Sequence, residues 1–149
     1  MKRKAKAHWS GSLNEGKGTL SSQSGTLNKR KYSFKTRFEE GEKGTNPEEL
    51  LAAAHAGCFT MAVALVLSQK GFTPETLDTE ATVTMEDLTI TGIHLSITGS
   101  VPGIEADEFE MVTTDAKNTC IISKALNVAI TSESHFVESQ TLEHRTIGT

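Results

Sequence analysis

The sequence predicts an α+β fold in which antiparallel sheets surround one long, buried central helix, with a second copy of the chain supplying part of the cover. Three observations support this. Short strand-like pieces fill the first 38 residues, and alternating runs return between Thr79 and Val101. An uncharged stretch runs from Leu50 to Leu67 between strong start and stop signals. A shorter helical stripe then precedes a last strand. Strands and helices grouped in blocks, rather than strictly alternating, indicate α+β architecture. At 149 residues, one domain spanning 1–149 is expected, with 139–149 a polar, frayed tail.

The elements follow in order. Lys6-Ala7-His8-Trp9, Gly18-Thr19-Leu20 and Thr26-Leu27 read as short strands broken by Gly and Ser. Tyr32, Phe34, Thr36 and Phe38 alternate with Ser33, Lys35 and Arg37, which predicts a strand with the aromatics on one face and Arg37 on the other. Glu39–Thr45 is a polar, Gly-bearing loop. Asn46 is the expected N-cap, Pro47 the first helical residue and Glu49 the reciprocal member of a capping box. The helix should reach about Lys70, where Gly71 and then Pro74 end it. Thr79–Thr84 and Ile90–Val101 form a meander turning near Glu86-Asp87, with Ile93, Leu95 and Ile97 on one face. Phe109, Val112, Ala116 and Cys120 make a helical stripe over Asp107–Thr119, so Cys120 falls at that helix's end on its buried side. A turn over Ser123–Leu126 and a strand over Val128–Val137 follow.

Composition narrows the function classes. The chain is 36% hydrophobic and 23% charged with a net charge of −4, ordinary for a globular protein. The short basic cluster Lys2–Lys6 gives no nucleic-acid footprint. No apolar signal segment opens the sequence, which points to the cytoplasm, where two cysteines are more often filler, ligands or transient redox groups than a structural disulfide. The Leu50–Leu67 run is 18 residues with six Ala, interrupted by His55, Gly57 and Thr60. That is at the short edge for a bilayer, and a core helix is the expectation. A helix apolar on every side needs cover that one chain with few other helices does not give, so burial in a homodimer is expected.

Two cysteines, Cys58 and Cys120, stand 62 residues apart. A lone Cys in an apolar helix is ordinarily packing, and that reading stays open. A reactive thiol needs a nearby cation or helix N-terminus. Cys58 is about three turns into its helix, where the macrodipole has faded, so activation must come from elsewhere. Arg37 is the candidate cation, with solvent exposure its plain alternative. Glu48 and Glu49 suit the first helical turn in any case. Glu48 precedes Cys58 by ten residues, about 15 Å along a straight helix. If Glu48 serves a Cys58 site, it serves the partner chain's. His55, at i−3 from Cys58, could tune the thiol or, with Cys120 as a third ligand, hold a metal; without CxxC or HExxH no metal or other cofactor is expected. His8, His94, His135 and His144 have no such context and are expected on the surface or in sheets.

Thr45-Asn46-Pro47-Glu48-Glu49-Leu50, then Ala53-Ala54-His55-Ala56 and Cys58-Phe59, resemble the signature of the OsmC/Ohr family of thiol peroxidases. Tyr32–Phe38, Gly41-Glu42-Lys43-Gly44, Gly71-Phe72-Thr73-Pro74, Val101-Pro102-Gly103-Ile104 and the region of Cys120 continue the likeness in order, to about residue 138. His55 in place of the Tyr usual in the Ohr branch favours the OsmC branch. Two departures stand out: Ile121 follows the second Cys where the family commonly has Pro, and the loop around Glu86–Ile90 looks shorter than in some relatives.

The resemblance implies an OsmC-like fold in an intertwined homodimer with two interface sites. It implies Cys58 as peroxidatic thiol, Cys120 as resolving thiol, and Arg37 with Glu48 as the pair that holds the thiolate. The implied reaction is reduction of an organic hydroperoxide through a Cys58 sulfenic acid, resolved as a disulfide with Cys120 and reduced by an external dithiol, in oxidative or osmotic stress defence. The Ala- and Leu-rich helix should line the apolar pocket. Two rivals are a redox-sensing or binding module on the same fold without turnover, and a structural protein in which both cysteines only pack.

Overall fold

The computed structural model describes residues 1–138; the expected tail at 139–149, with His144, lies outside the described residues. The chain forms two compact units, Met1–Leu50 and the part from Leu51 onward.

The first unit is a three-stranded antiparallel sheet in the order β1 (Ala5–Ser10), β2 (Lys17–Ser22), β3 (Arg30–Tyr32). Gly18 pairs with Trp9 on one side and Tyr32 on the other, and the two rings close over it with centroids 5.5 Å apart. A Cβ at Gly18 would meet both rings, which explains glycine inside a strand. Thr26-Leu27 is not a strand: the Ser22 and Ser24 hydroxyls accept from the Leu27 and Thr26 N–H groups and hold a turn. The strand expected over Tyr32–Phe38 also fails. After β3 the chain enters a short helix, α1 (Phe34–Phe38). Ser33 caps it: its hydroxyl accepts from the Thr36 N–H while the Thr36 hydroxyl accepts from the Ser33 N–H. Phe34 and Phe38, four apart, meet at 4.9 Å on this helix as they would have shared a strand face.

Helix α2 (Pro47–Gln69) starts where the sequence places it. Asn46 Oδ1 accepts from the Glu49 N–H at 2.7 Å; the Glu49 carboxylate, instead of closing a capping box, accepts from the Thr45 hydroxyl. At the other end Gly71 has φ +86°, its N–H bonds to Ser68 O, and the Phe72 N–H bonds to Leu67 O. This pair of bonds is a Schellman stop, with Phe72, partly buried, packed against the core that contains Leu67.

The second unit's sheet runs β4 (Thr76–Glu86), β5 (Thr89–Ser100), β6 (Ala129–Val137). Asp87 and Leu88, both at positive φ, make the two-residue turn between β4 and β5. β6 runs parallel to β5, so this sheet is mixed rather than antiparallel. A parallel partner needs a crossover, and α3 (Ala106–Thr119) with α4 (Ile121–Ala125) supplies it. Phe59, Val63 and Leu67 of α2, Ile93, Leu95 and Ile97 of β5, and Phe109, Val112 and Ala116 of α3 form the core. Each large member contributes about 1.5–3 kcal/mol on burial.

α2 is long and apolar enough to cross a membrane by length and composition. Its inner face (His55, Phe59, Val63, Val66, Leu67) is built into this core. The helix is not covered all round within one chain: Ala54, Gly57, Met61 and Leu65 form an exposed stripe, with Met61 76% and Leu65 58% accessible.

Candidate active site

The second unit brings the two cysteines together. Cys58, partly buried on α2, and Cys120, buried where α3 meets α4, have their sulfurs 3.2 Å apart and share one hydrogen bond. α3 ends at Thr119, and Cys120 in extended backbone (φ −55°, ψ +129°) is both its C-cap and the N-cap of α4. Burial pushes the Cys58 thiol up and the neighbouring Cys120 adds to this, against the N–H groups of Ile122 and Ile121. Burial also raises Cys120, but the Ser123 N–H, Cys58, the Ser123 hydroxyl and the Ile122 N–H outweigh it, and its thiol sits below its ordinary value.

The first unit brings Arg37 and Glu48 together. Arg37, on α1, donates from Nε to both Glu48 oxygens at 3.0 and 3.1 Å and from Nη2 to Oε1 at 2.6 Å. Burial works against the Glu48 carboxylate, yet Arg37 and the helix's own N–H hold it below the usual carboxylate range. The guanidinium also lies over the Phe38 ring, 5.3 Å from its centroid. Arg37 is thus not set opposite the aromatics, as strand alternation implied. Beside it an apolar pocket of about 310 Å³ is lined by Trp9, Leu13, Tyr32, Phe34 and Phe38. The sequence put the apolar pocket on α2; this one is built by β1, β3 and α1.

An OsmC-like protein family model matches residues 40–134, which include Glu48, Cys58 and Cys120 and begin three residues after Arg37. The chain is 49% identical over 133 residues to peroxiredoxin OsmC of Escherichia coli (strain K12), covering 87% of this chain and 92% of that protein. It belongs to the OsmC-like family. This OsmC-like chain is also 36% identical over 101 residues to the organic hydroperoxide resistance protein OhrA of Bacillus subtilis (strain 168), across 65% of this chain and 72% of OhrA. The solved structure of OhrB of Bacillus subtilis superposes with a TM-score of 0.65 at 22% identity, covering 90% of this chain and 98% of OhrB, so the fold is the OsmC/Ohr fold.

In the OsmC-like chain the sequence reading missed two contributors. Ser123, which helps lower the Cys120 thiol, reaches His55: His55 Nε2 and the Ser123 hydroxyl are 2.8 Å apart. His55 is fully buried, and burial pushes its pKa down. The other contributor is the Ile121 N–H at Cys58, which a Pro at that position would lack. The first has no local signal, since 68 residues separate His55 from Ser123, whereas Ile121 stands out in the sequence as a departure from the usual Pro. His94 and His135 lie on β5 and β6 and both bond to Glu133, at 2.8 and 3.1 Å.

Proposed function

We propose that this OsmC-like chain is a cysteine peroxidase that reduces organic hydroperoxides to alcohols, acts in stress defence in the cytoplasm, and works as a homodimer. The observation that supports it most directly is the 3.2 Å approach of the chain's two cysteine sulfurs. In the first step the Cys58 thiolate attacks the distal oxygen of ROOH; the O–O bond breaks, Cys58 becomes sulfenic acid, and the alkoxide leaves as ROH with a proton. Cys120 then attacks the Cys58 sulfur, forming the disulfide and releasing water. An external dithiol reduces the disulfide by exchange. The aromatic pocket beside Arg37 suits the alkyl or aryl part of ROOH.

The dimer enters through two considerations. Burial pushes the Cys58 thiol up, so a nearby cation is what would bring it back down to a reactive thiolate. Glu48, bonded to Arg37, is ten residues and about 15 Å before Cys58 on the same helix. The pair therefore serves the Cys58 of the other chain, and the exposed Ala54–Gly57–Met61–Leu65 stripe is the face on which the two α2 helices meet. On this reading the whole chain is one OsmC-like domain whose two units complete sites in different protomers.

The test is consumption of cumene hydroperoxide with a dithiol by wild type, Cys58→Ser and Cys120→Ser, with mass spectrometry for a 58–120 disulfide. Turnover undiminished in Cys58→Ser, or no disulfide after one equivalent of peroxide, overturns the peroxidase reading. Disulfide formation without turnover would favour a redox sensor. Mixed dimers of Glu48→Ala and Cys58→Ser chains should regain one working site of two; inactive heterodimers would refute action across the dimer.

A further inference from the structure

The aromatic pocket beside Arg37 has a leucine at its rim. β1 and β2 are joined by Gly11-Ser12-Leu13-Asn14-Glu15-Gly16, a turn in which Leu13 is the one large apolar side chain. Leu13 is 69% accessible, yet it lines the pocket with Trp9, Tyr32, Phe34, Arg37 and Phe38. A single exposed leucine is ordinary on a protein surface. This one is carried by a braced turn. The Gly16 N–H donates to Ser12 O at 2.7 Å and the Glu15 N–H to the Ser12 hydroxyl at 3.2 Å. The Trp9 indole N–H donates to Gly11 O at 3.0 Å, so the pocket's largest ring is tied to the same turn. Gly11 has φ +98°, and a Cβ at Gly16 would meet the Ser12 and Ser10 carbonyl oxygens and the indole nitrogen. Both glycines are therefore needed for the turn to hold Leu13 beside the indole.

The pocket's lining says what fits it. Its walls are apolar and aromatic except at Ser33 and the Arg37 guanidinium, and its volume of about 310 Å³ suits a small ligand. The matching occupant has an organic body and one polar end, as ROOH does with its O–O group toward the guanidinium. Hydrogen peroxide has no body to place there. We propose that Leu13 is a specificity-determining residue: held at the pocket's rim by the β1–β2 turn, its side chain covers the organic group of a bulky hydroperoxide and sets such substrates apart from hydrogen peroxide. This deepens the peroxidase reading and rests on it. Trp9 and Leu13 lie outside residues 40–134, so this selectivity belongs to the first hairpin and not to the part of the chain that matches the family model.

The test has a binding readout and a kinetic one. Trp9 is the chain's single tryptophan, so its fluorescence reports occupancy of the pocket without turnover. Cumyl alcohol, the product of cumene hydroperoxide, is titrated into wild type, Leu13→Asn and Leu13→Met. The same proteins are assayed for kcat/KM with cumene hydroperoxide, tert-butyl hydroperoxide and hydrogen peroxide. Asn suits a turn but gives no apolar cover, whereas Met keeps the cover. In Leu13→Asn the Kd for cumyl alcohol should rise about fivefold, and kcat/KM should fall about fivefold for cumene hydroperoxide, less for tert-butyl hydroperoxide and least for hydrogen peroxide. A closed apolar pocket resolves one methylene by tenfold or more, and Leu13 covers one side only. Leu13→Met should restore both readouts. Leu13→Ala, read the same way, replaces Leu13→Asn if circular dichroism shows that the Asn variant has lost the native fold. An unmoved Kd, or a loss of kcat/KM equal on all three peroxides, overturns the proposal and leaves the peroxidase reading intact. A wild type that consumes no hydroperoxide overturns the peroxidase reading and this substrate assignment with it, whether or not the alcohol binds.

Discussion

Replacing Glu48 by Gln tests the proposed role of the Arg37–Glu48 pair with little change of shape. Three hydrogen bonds join Arg37 to this carboxylate, and Glu48 is the buried partner: its side chain is 14% accessible against 41% for Arg37. Gln keeps one acceptor oxygen but turns the other into an NH₂ that faces the guanidinium donors. Bonds to a charged acceptor are worth about 1.5–3 kcal/mol and neutral ones about 1. Because Arg37 is open to solvent, screening puts the loss at the low end, roughly 1–1.5 kcal/mol. If the positioned guanidinium stabilises the Cys58 thiolate and the peroxide oxygens, that loss is about tenfold in rate. The assay is stopped-flow consumption of cumene hydroperoxide by pre-reduced protein, with circular dichroism to check the fold. Arg37→Lys, which loses the fork but keeps the charge, should fall by a similar factor. A Glu48→Gln protein with native fold and wild-type rate would refute the reasoning.

Ile121→Pro removes one N–H from the Cys58 sulfur at a position where helix geometry tolerates proline, since Cys120 before it is already extended; the Cys58 thiolate fraction near neutral pH should fall up to about fivefold, and an unchanged alkylation profile for Cys58 would discount that N–H. Oxidation to the 58–120 disulfide closes a loop spanning 62 residues, which should stabilise by about 4 kcal/mol and raise Tm on the order of 10 °C in scanning calorimetry; an oxidised form melting no higher than the reduced one would contradict this. Because the folded state holds the Glu48 pKa below its unfolded value, its contribution is present above the ordinary carboxylate range and is lost as pH falls through the depressed value. The Tm gap between wild type and Glu48→Gln should therefore close on acidification, and a gap that widens instead would reverse the sign. Leu65→Glu, on the exposed α2 stripe, should yield monomers by sedimentation in which Cys120 is alkylated before Cys58; the same order of labelling in wild type would count against activation by a partner.

Much of the fold was readable because its signals are local. Asn46-Pro47 and Gly71 delimit α2 by capping chemistry. The Phe109–Val112–Ala116–Cys120 stripe places Cys120 on the buried side of α3, where it is found 1% accessible. α1 was missed because aromatics at 32, 34 and 38 satisfy a period of two, while Phe34 and Phe38 equally satisfy i, i+4; the Ser33–Thr36 reciprocal cap was the overlooked discriminator. The direction of β6 was not readable, since alternation assigns faces and says nothing of the partner's polarity. The Cys58–Cys120 and His55–Ser123 contacts join residues 62 and 68 apart, a separation at which periodicity is silent.

The thiol pair gives a reason for the proposed division of labour between protomers. Two sulfurs at hydrogen-bond distance compete for one proton, and the backbone and hydroxyl donors at the start of α4 favour thiolate at Cys120. That suits resolution, while burial pushes the Cys58 thiol up and away from the thiolate that attacks peroxide. A permanent positive charge brought to Cys58 would reverse the preference, because thiolate is stabilised by the nearer cation. Arg37 has that charge in every protonation regime, and Glu48 fixes its direction without neutralising its outer N–H groups, since Nη1 is left out of the pair. After attack, Cys58 no longer holds a thiolate, the cation has nothing to favour there, and the donors around Cys120 again govern which sulfur attacks. One chain's arginine would thus set the first step and the other chain's α4 the second, so that assembly, rather than either cysteine's own helix, orders the two reactions.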